Sequence, residues 1–149
     1  MTASLPNRAR RMHHVGYVVG NIDSAVQGFL KSLSATWDGV VFEDPIQKVK
    51  VTFLSTGPSD TQIELVEPSA PDAPVRKFLN DTGGGLHHVC YEIGDLDREL
   101  SGTRARGGLI ARRPAPAVAF GGRRIAWILT AEKLLVELLE ARAQCTPDH

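Results

Sequence analysis

The chain has only two cysteines, Cys90 and Cys145, placed far apart in its 149 residues. Two distant cysteines make no disulfide framework, so the expected setting is a reducing compartment, the cytoplasm. No apolar run reaches 18 residues, which excludes a transmembrane helix. The N-terminus carries basic residues but no apolar segment behind them, so no secretory signal is expected. Excess charge is also missing. Lys and Arg number 17, as do Asp and Glu, so no overall field draws the protein to nucleic acid or an anionic membrane. The short basic stretch "PNRARR" reads as a solvated tail. A hydrophobic content of 42% at this length suffices for one core, and residues 1–149 are expected to form a single unit.

What is present is a repeat. "HHVGYVVGNID" begins at His13 and "HHVCYEIGDLD" at His87, 74 residues later. At that offset His14 meets His88, Val15 meets Val89, Tyr17 meets Tyr91, and Gly20 and Asp23 meet Gly94 and Asp97. The register continues through Val51, Phe53 and Thr56 against Ile125, Trp127 and Thr130. "IEL" at 63–65 then meets "VEL" at 136–138 after the loss of one residue. The chain is two copies of one supersecondary unit. Each reads as strand, amphipathic helix, then strands. In the first copy Val26, Phe29, Leu30 and Leu33 form the helix stripe, with Asp23 as N-cap or first-turn acid. In the second the helix is expected from Leu96 to Arg106. The Pro- and Gly-containing stretch between the copies reads as a linker, helical at Val75 to Leu79, packed on the second unit.

Strand alternation sorts the side chains. Val15, Tyr17, Val19, Val89, Tyr91, Ile93, Val51, Phe53, Ile125 and Trp127 are expected to face the helices. The opposite face then carries His14, His88, Cys90, Glu92, Arg124 and Ala126. Ile63 and Leu65, and likewise Val136 and Leu138, take the core side and send Glu64 and Glu137 the other way. One His and one Glu from each copy therefore converge. Two neutral imidazoles and two carboxylates suit one divalent ion (Co, Zn, Ni or Mn), and the assembled site is formally neutral. His13 and His87 are expected on the helix side or the strand edge in a structural role, Cys90 as a small residue lining the cleft, and Glu67 and Glu140 as solvated acids.

The repeat, the "HHV" strand starts and the segments "GGGLHHVCYEI" and "LLVELLEA" resemble the vicinal oxygen chelate superfamily of glyoxalases, methylmalonyl-CoA epimerases, extradiol dioxygenases and bleomycin-resistance proteins. The resemblance runs from about Met12 to Ala141, and the order of "IELVEP", "PVRKFL", "GGRRI" and "LVEL" is nearest the epimerase branch. It implies an α+β fold of two tandem βαβββ modules, residues 11–68 and 85–142 joined by a linker at 69–84. Their sheet is expected to be U-shaped around a metal cleft with ligands His14, Glu64, His88 and Glu137. It also implies a metal-dependent isomerase or lyase acting through an enolate on a small acyl thioester or oxo acid. Glu137 would act as catalytic base, with Arg124 and Gln47 contacting substrate. Family analogy further implies a homodimer. The epimerases carry a second catalytic glutamate where this chain has Ile46. The alternatives are a lactoylglutathione lyase of glyoxalase type and a drug-binding protein of the same fold. Four protein ligands argue against a dioxygenase, whose iron needs open positions.

Overall fold

In the computed structural model, residues 10–142 are described. Cys145 and most of the basic N-terminal stretch lie outside them. The first half runs β1 (Arg11–Val18), α1 (Ile22–Ser32), β2 (Thr36–Trp37), β3 (Phe42–Asp44), β4 (Val49–Ser55) and β5 (Gln62–Pro68). Helix α2 (Pro74–Thr82) leads to the second half, β6 (Gly85–Ile93), α3 (Leu96–Ser101), β7 (Leu109–Pro116), a 3-10 turn (Val118–Phe120), β8 (Arg124–Leu129) and β9 (Leu135–Glu140). The result is an α+β fold built on one mixed nine-stranded sheet in the order β2-β4-β5-β1-β6-β9-β8-β7, with β3 also on β4. The repeat shows in the pairing. β1 lies parallel to β5, and β6 lies parallel to β9. The halves join where β1 meets β6 antiparallel.

Local chemistry explains the helices. Asn21, not Asp23, caps α1, its Oδ1 accepting from the Ser24 amide at 2.9 Å, while Asp23 sits in the first turn near the helix's positive end. Ile22, Val26 and Phe29 bring α1 onto Val19, Leu54 and Leu65, and the complete burial of Val26 alone stabilises by about 1.5–3 kcal/mol. Asp95 caps α3 through the Arg98 amide. The expected helix to Arg106 is shorter because Gly102 follows Ser101 and the chain breaks into turns as far as Gly107, which has positive φ. The linker helix packs chiefly on the first half rather than on the second, although Phe78 also meets His87. Val75, Phe78 and Leu79 join Val18, Val49, Val51 and Val66 in one cluster.

Two strands face the other way from the sequence expectation. In β4, Phe53 stands opposite Glu64 and Leu54 opposite Ile63, so Leu54 packs on α1 while Val51 and Phe53 face the cleft. In β8, Trp127 stands opposite Glu137 and Ala126 opposite Leu138. Ala126 and Ile128 therefore pack on α3, and Ile125 and Trp127 line the cleft. Arg124 shares the parity of Ala126 and leaves the cleft with it.

Candidate metal centre

Four elements present the converging donors: His14 from β1, Glu64 from β5, His88 from β6 and Glu137 from β9. His14 Nε2 lies 3.3 Å from His88 Nε2, 3.3 Å from Glu137 Oε1 and 3.5 Å from Glu64 Oε1. His88 Nε2 is 3.3 Å from Glu64 Oε1. Donors held about 2.1 Å from one centre are separated by roughly 3.0–3.4 Å. Three of the four spacings fall within that range, and His14–Glu64 at 3.5 Å lies just beyond it. All four side chains are buried, and Glu137 Oε1 has no hydrogen-bond partner although it faces the cluster. An orphaned buried carboxylate oxygen among imidazole nitrogens is what a cation would satisfy. Among the described residues His14, His88 and Glu137 form a group with metal-ligand spacing.

Without a cation the carboxylates are costly to ionise. Burial pushes Glu64 up to about 8, and burial together with the Glu64 charge pushes Glu137 to about 8. Burial holds His14 well below the usual imidazole range, reinforced by His88 and His13, and lowers His88 against the opposing pull of Glu137. The free site thus favours neutral acids beside neutral imidazoles. Cys90, opposite Glu137 in the ladder, is fully buried and its thiol is pushed up, chiefly by burial, so it is inert rather than nucleophilic.

Gly16 makes room for the cluster. A Cβ built there would stand 2.0 Å from His88 Cε1, so the imidazole lies directly over the bare backbone of β1. Over the donors opens a cavity of about 240 Å³, walled by Val51, Val66, Ile125, Trp127 and Leu135. Its polar lining above the donors includes Asp44, Gln47, His87 and Arg112.

The other sequence candidates divide. Gln47 reaches the cavity, and its Oε1 accepts from Arg112 Nη1 at 3.3 Å across the rim. Arg124 does not reach it. Its guanidinium binds Asp97 at 3.0 Å and Glu140 at 2.9 Å on the helix side, which corrects the cleft-face placement. Glu92 is engaged by Arg11 and Arg123. Ile46 is 47% exposed on the turn before β4. Asp44 is buried on the cavity wall, but its Oδ1 accepts from the Ile46 and Gln47 amides and its Oδ2 from the Val118 amide, tying the rim of one half to the other. Sequence reasoning passed over Arg112, which lies in a stretch with no strand alternation. It also set His13 and His87 on the wrong side, since both turn toward His14 and His88.

Residues 13–127 match the Glyoxalase/Bleomycin resistance protein/Dioxygenase superfamily. An uncharacterized protein of Bacillus subtilis (strain 168) is 29% identical over 143 residues, 93% of this chain and 98% of the relative. The ethylmalonyl-CoA/methylmalonyl-CoA epimerase of Cereibacter sphaeroides is 26% identical over 119 residues, 79% of this chain and 87% of the relative. Among solved structures, the methylmalonyl-CoA epimerase from Mycobacterium tuberculosis has a TM-score of 0.79 at 25% identity, covering 96% of this chain and 94% of the other.

Proposed function

The chain belongs to the Glyoxalase/Bleomycin resistance protein/Dioxygenase superfamily, and from that premise we propose that it is a metal-dependent isomerase or lyase of methylmalonyl-CoA epimerase type. Its substrate would be a small acyl thioester or oxo acid, and its intermediate an enolate. The observation that carries the reading is the convergence of four buried donors, two from each half, beneath an otherwise mainly apolar cavity. His14, Glu64, His88 and Glu137 would hold one Co, Zn, Ni or Mn ion, which when bound supplies Lewis-acid stabilisation of the enolate oxygen.

The remaining chemistry falls to the chain. With Oε1 turned to the ion, the other carboxylate oxygen of Glu137 would take the proton from the carbon beside the carbonyl and return it to the enolate. Ile125, Trp127 and Leu135 keep water from that carbanion. Gln47 and Arg112 stand at the rim, where Arg112 can pair with an anionic group of the substrate. A cavity of about 240 Å³ suits a short acyl group and is small for the drug-sized ligand of a sequestering protein.

One observation favours a second reading within the same chemistry. Ile46 offers no acid, and both oxygens of Asp44 are taken by backbone amides, so a proton carrier opposite Glu137 is missing from these positions. A single base suffices for a glyoxalase-type proton shift, whereas epimerisation here would need solvent to deliver the proton to the face opposite Glu137. The test is reconstitution with each of the four metals, elemental analysis, and incubation in D2O with methylmalonyl-CoA, related thioesters and the methylglyoxal–glutathione hemithioacetal. Washout of the α-proton, reduced by about 10²–10⁴-fold in Glu137→Gln, supports the reading. Failure to take up any metal defeats it.

A further inference from the structure

The two non-ligand histidines occupy a special place in the β1–β6 ladder. Met12 pairs with Tyr91 and His14 with Cys90, so His13 is an extra residue on β1. Gly16 pairs with His88 and Tyr17 with Leu86, so His87 is an extra residue on β6. Each is the inserted residue of a β-bulge, and a bulge re-aims side chains out of strict alternation. Both histidines of each doublet therefore reach one another. His13 Nδ1 lies 2.8 Å from His14 Nδ1, and His87 Nδ1 lies 2.9 Å from His88 Nδ1, with ring planes 84° and 89° apart. Two ring nitrogens at that separation share one proton, because one must donate and the other accept.

We propose that His13 and His87 are positioning residues that accept a hydrogen bond from the Nδ1–H of His14 and His88, locking both imidazoles in the tautomer whose Nε2 lone pair faces the ion. The inference rests on the metal reading above, and it goes beyond it by assigning a role to the first residue of each doublet. The ligand nitrogens point inward through Nε2, within 3.5 Å of Glu64 Oε1. An Nε2 that gives its lone pair to a cation must leave the proton on Nδ1, and that proton needs an acceptor in a buried site. The accepting rings are themselves fixed. His13 meets Phe53 and Phe120 edge to face at 6.1 and 5.2 Å, and His87 meets Phe78 at 4.9 Å and Trp127 at 6.3 Å. Without these acceptors the competing tautomer, with Nε2–H donating to Glu64 or Glu137, would close the site to a cation.

The test is two-armed. Nitrogen-15 NMR of the unmodified protein, with and without Zn2+, is expected to show scalar coupling between His13 Nδ1 and His14 Nδ1, and between His87 Nδ1 and His88 Nδ1. The proton should reside on His14 and His88. Second, His13→Phe and His87→Phe keep a ring but remove the acceptor, and each should weaken Zn2+ affinity about 10–100-fold. His13→Asn and His87→Asn, whose amide oxygen stands near the lost Nδ1, should restore it. Absent coupling, protons residing on His13 and His87, or Phe variants that bind Zn2+ like the parent would each overturn the proposal. Co2+, Ni2+ or Mn2+ replaces Zn2+ in the titration if the parent does not bind zinc; if the parent takes up none of the four, the functional reading fails alone, and the coupling in the metal-free protein still decides the hydrogen bond. The same spectra decide it if a Phe variant does not fold.

Discussion

Replacing Gly16 with alanine adds one methyl group to the floor of the site, and the consequence is calculable. The backbone at Gly16 is ordinary extended strand without positive φ, so alanine meets no conformational objection there. The whole cost comes from the new Cβ, 2.0 Å from His88 Cε1 and 2.4 Å from both ring nitrogens. Carbon atoms rest at roughly 3.5–4.0 Å, so the ring must retreat by about 1.5 Å. Metal–donor distances tolerate only about 0.2 Å. His88 Nε2 therefore leaves the donor set, and Zn2+ affinity should fall beyond the roughly 10–100-fold loss expected when only an outer hydrogen-bond partner is removed. Overpacking adds about 1–3 kcal/mol of destabilisation to the metal-free protein. Competition titration against a chromophoric chelator reads the first effect and urea unfolding the second. Gly20→Ala is the control, since nothing lies within 4 Å of a Cβ at that position. A Gly16→Ala protein that binds Zn2+ like the parent would refute the placement of His88 over the β1 backbone.

Other outcomes follow from the same geometry. At pH 7, ion binding should release about two protons, from Glu64 and Glu137, falling toward zero well above pH 8, as read by calorimetry in buffers of different ionisation enthalpy. In the metal-free protein these carboxyls hold protons that the unfolded chain gives up near 4.5, so the folded state binds more protons between about 4.5 and 8. Their contribution to stability is therefore full below 4.5 and is lost as pH rises through 8, and melting temperatures across that window should show the decline. Arg124→Ala should leave kcat/KM within about twofold, because its partners Asp97 and Glu140 lie away from the cavity. Arg112→Ala should raise KM about tenfold with little change in kcat, as steady-state kinetics with an anionic substrate would show. Brief alkylation of the native protein followed by peptide mapping should leave Cys90 unmodified.

The convergence of His14, Glu64, His88 and Glu137 was readable because β5 and β9 have unambiguous parity and because β1 from His14 to Gly16 and β6 from His88 onward keep strict alternation beside their bulges. In "QIELVE" and "LLVELL" the carboxylates interrupt apolar residues, and alternation assigns the faces. β4 and β8 offered no such contrast. In "RIAWIL" both faces are apolar, since one packs on α3 and the other lines the cleft, and bulk alone pointed the wrong way for Trp127. The decisive fact was cross-strand. Trp127 stands opposite Glu137, and residues opposite one another in a ladder share a face. The bulges escaped for a different reason: an inserted residue breaks the period of two that the reading assumes, so His13 and His87 were sent to the wrong side. β7 stayed hidden because its two Arg and two Pro suit an edge strand with one unpaired side rather than an alternating one. The linker helix carried no sign of which half it would cover.

The β1–β6 ladder is the only strand pairing between the two halves among the described residues, and it is interrupted twice. His14 and Glu64 lie on one flank of this seam and His88 and Glu137 on the other. A cation held by all four would therefore act as a rivet through the join, its binding energy becoming resistance to the halves parting. Amide hydrogens of Met12–Val18 and Gly85–Ile93 should then exchange with solvent on a clock set by free metal concentration, while those of β4 against β5, within one half, keep their own time.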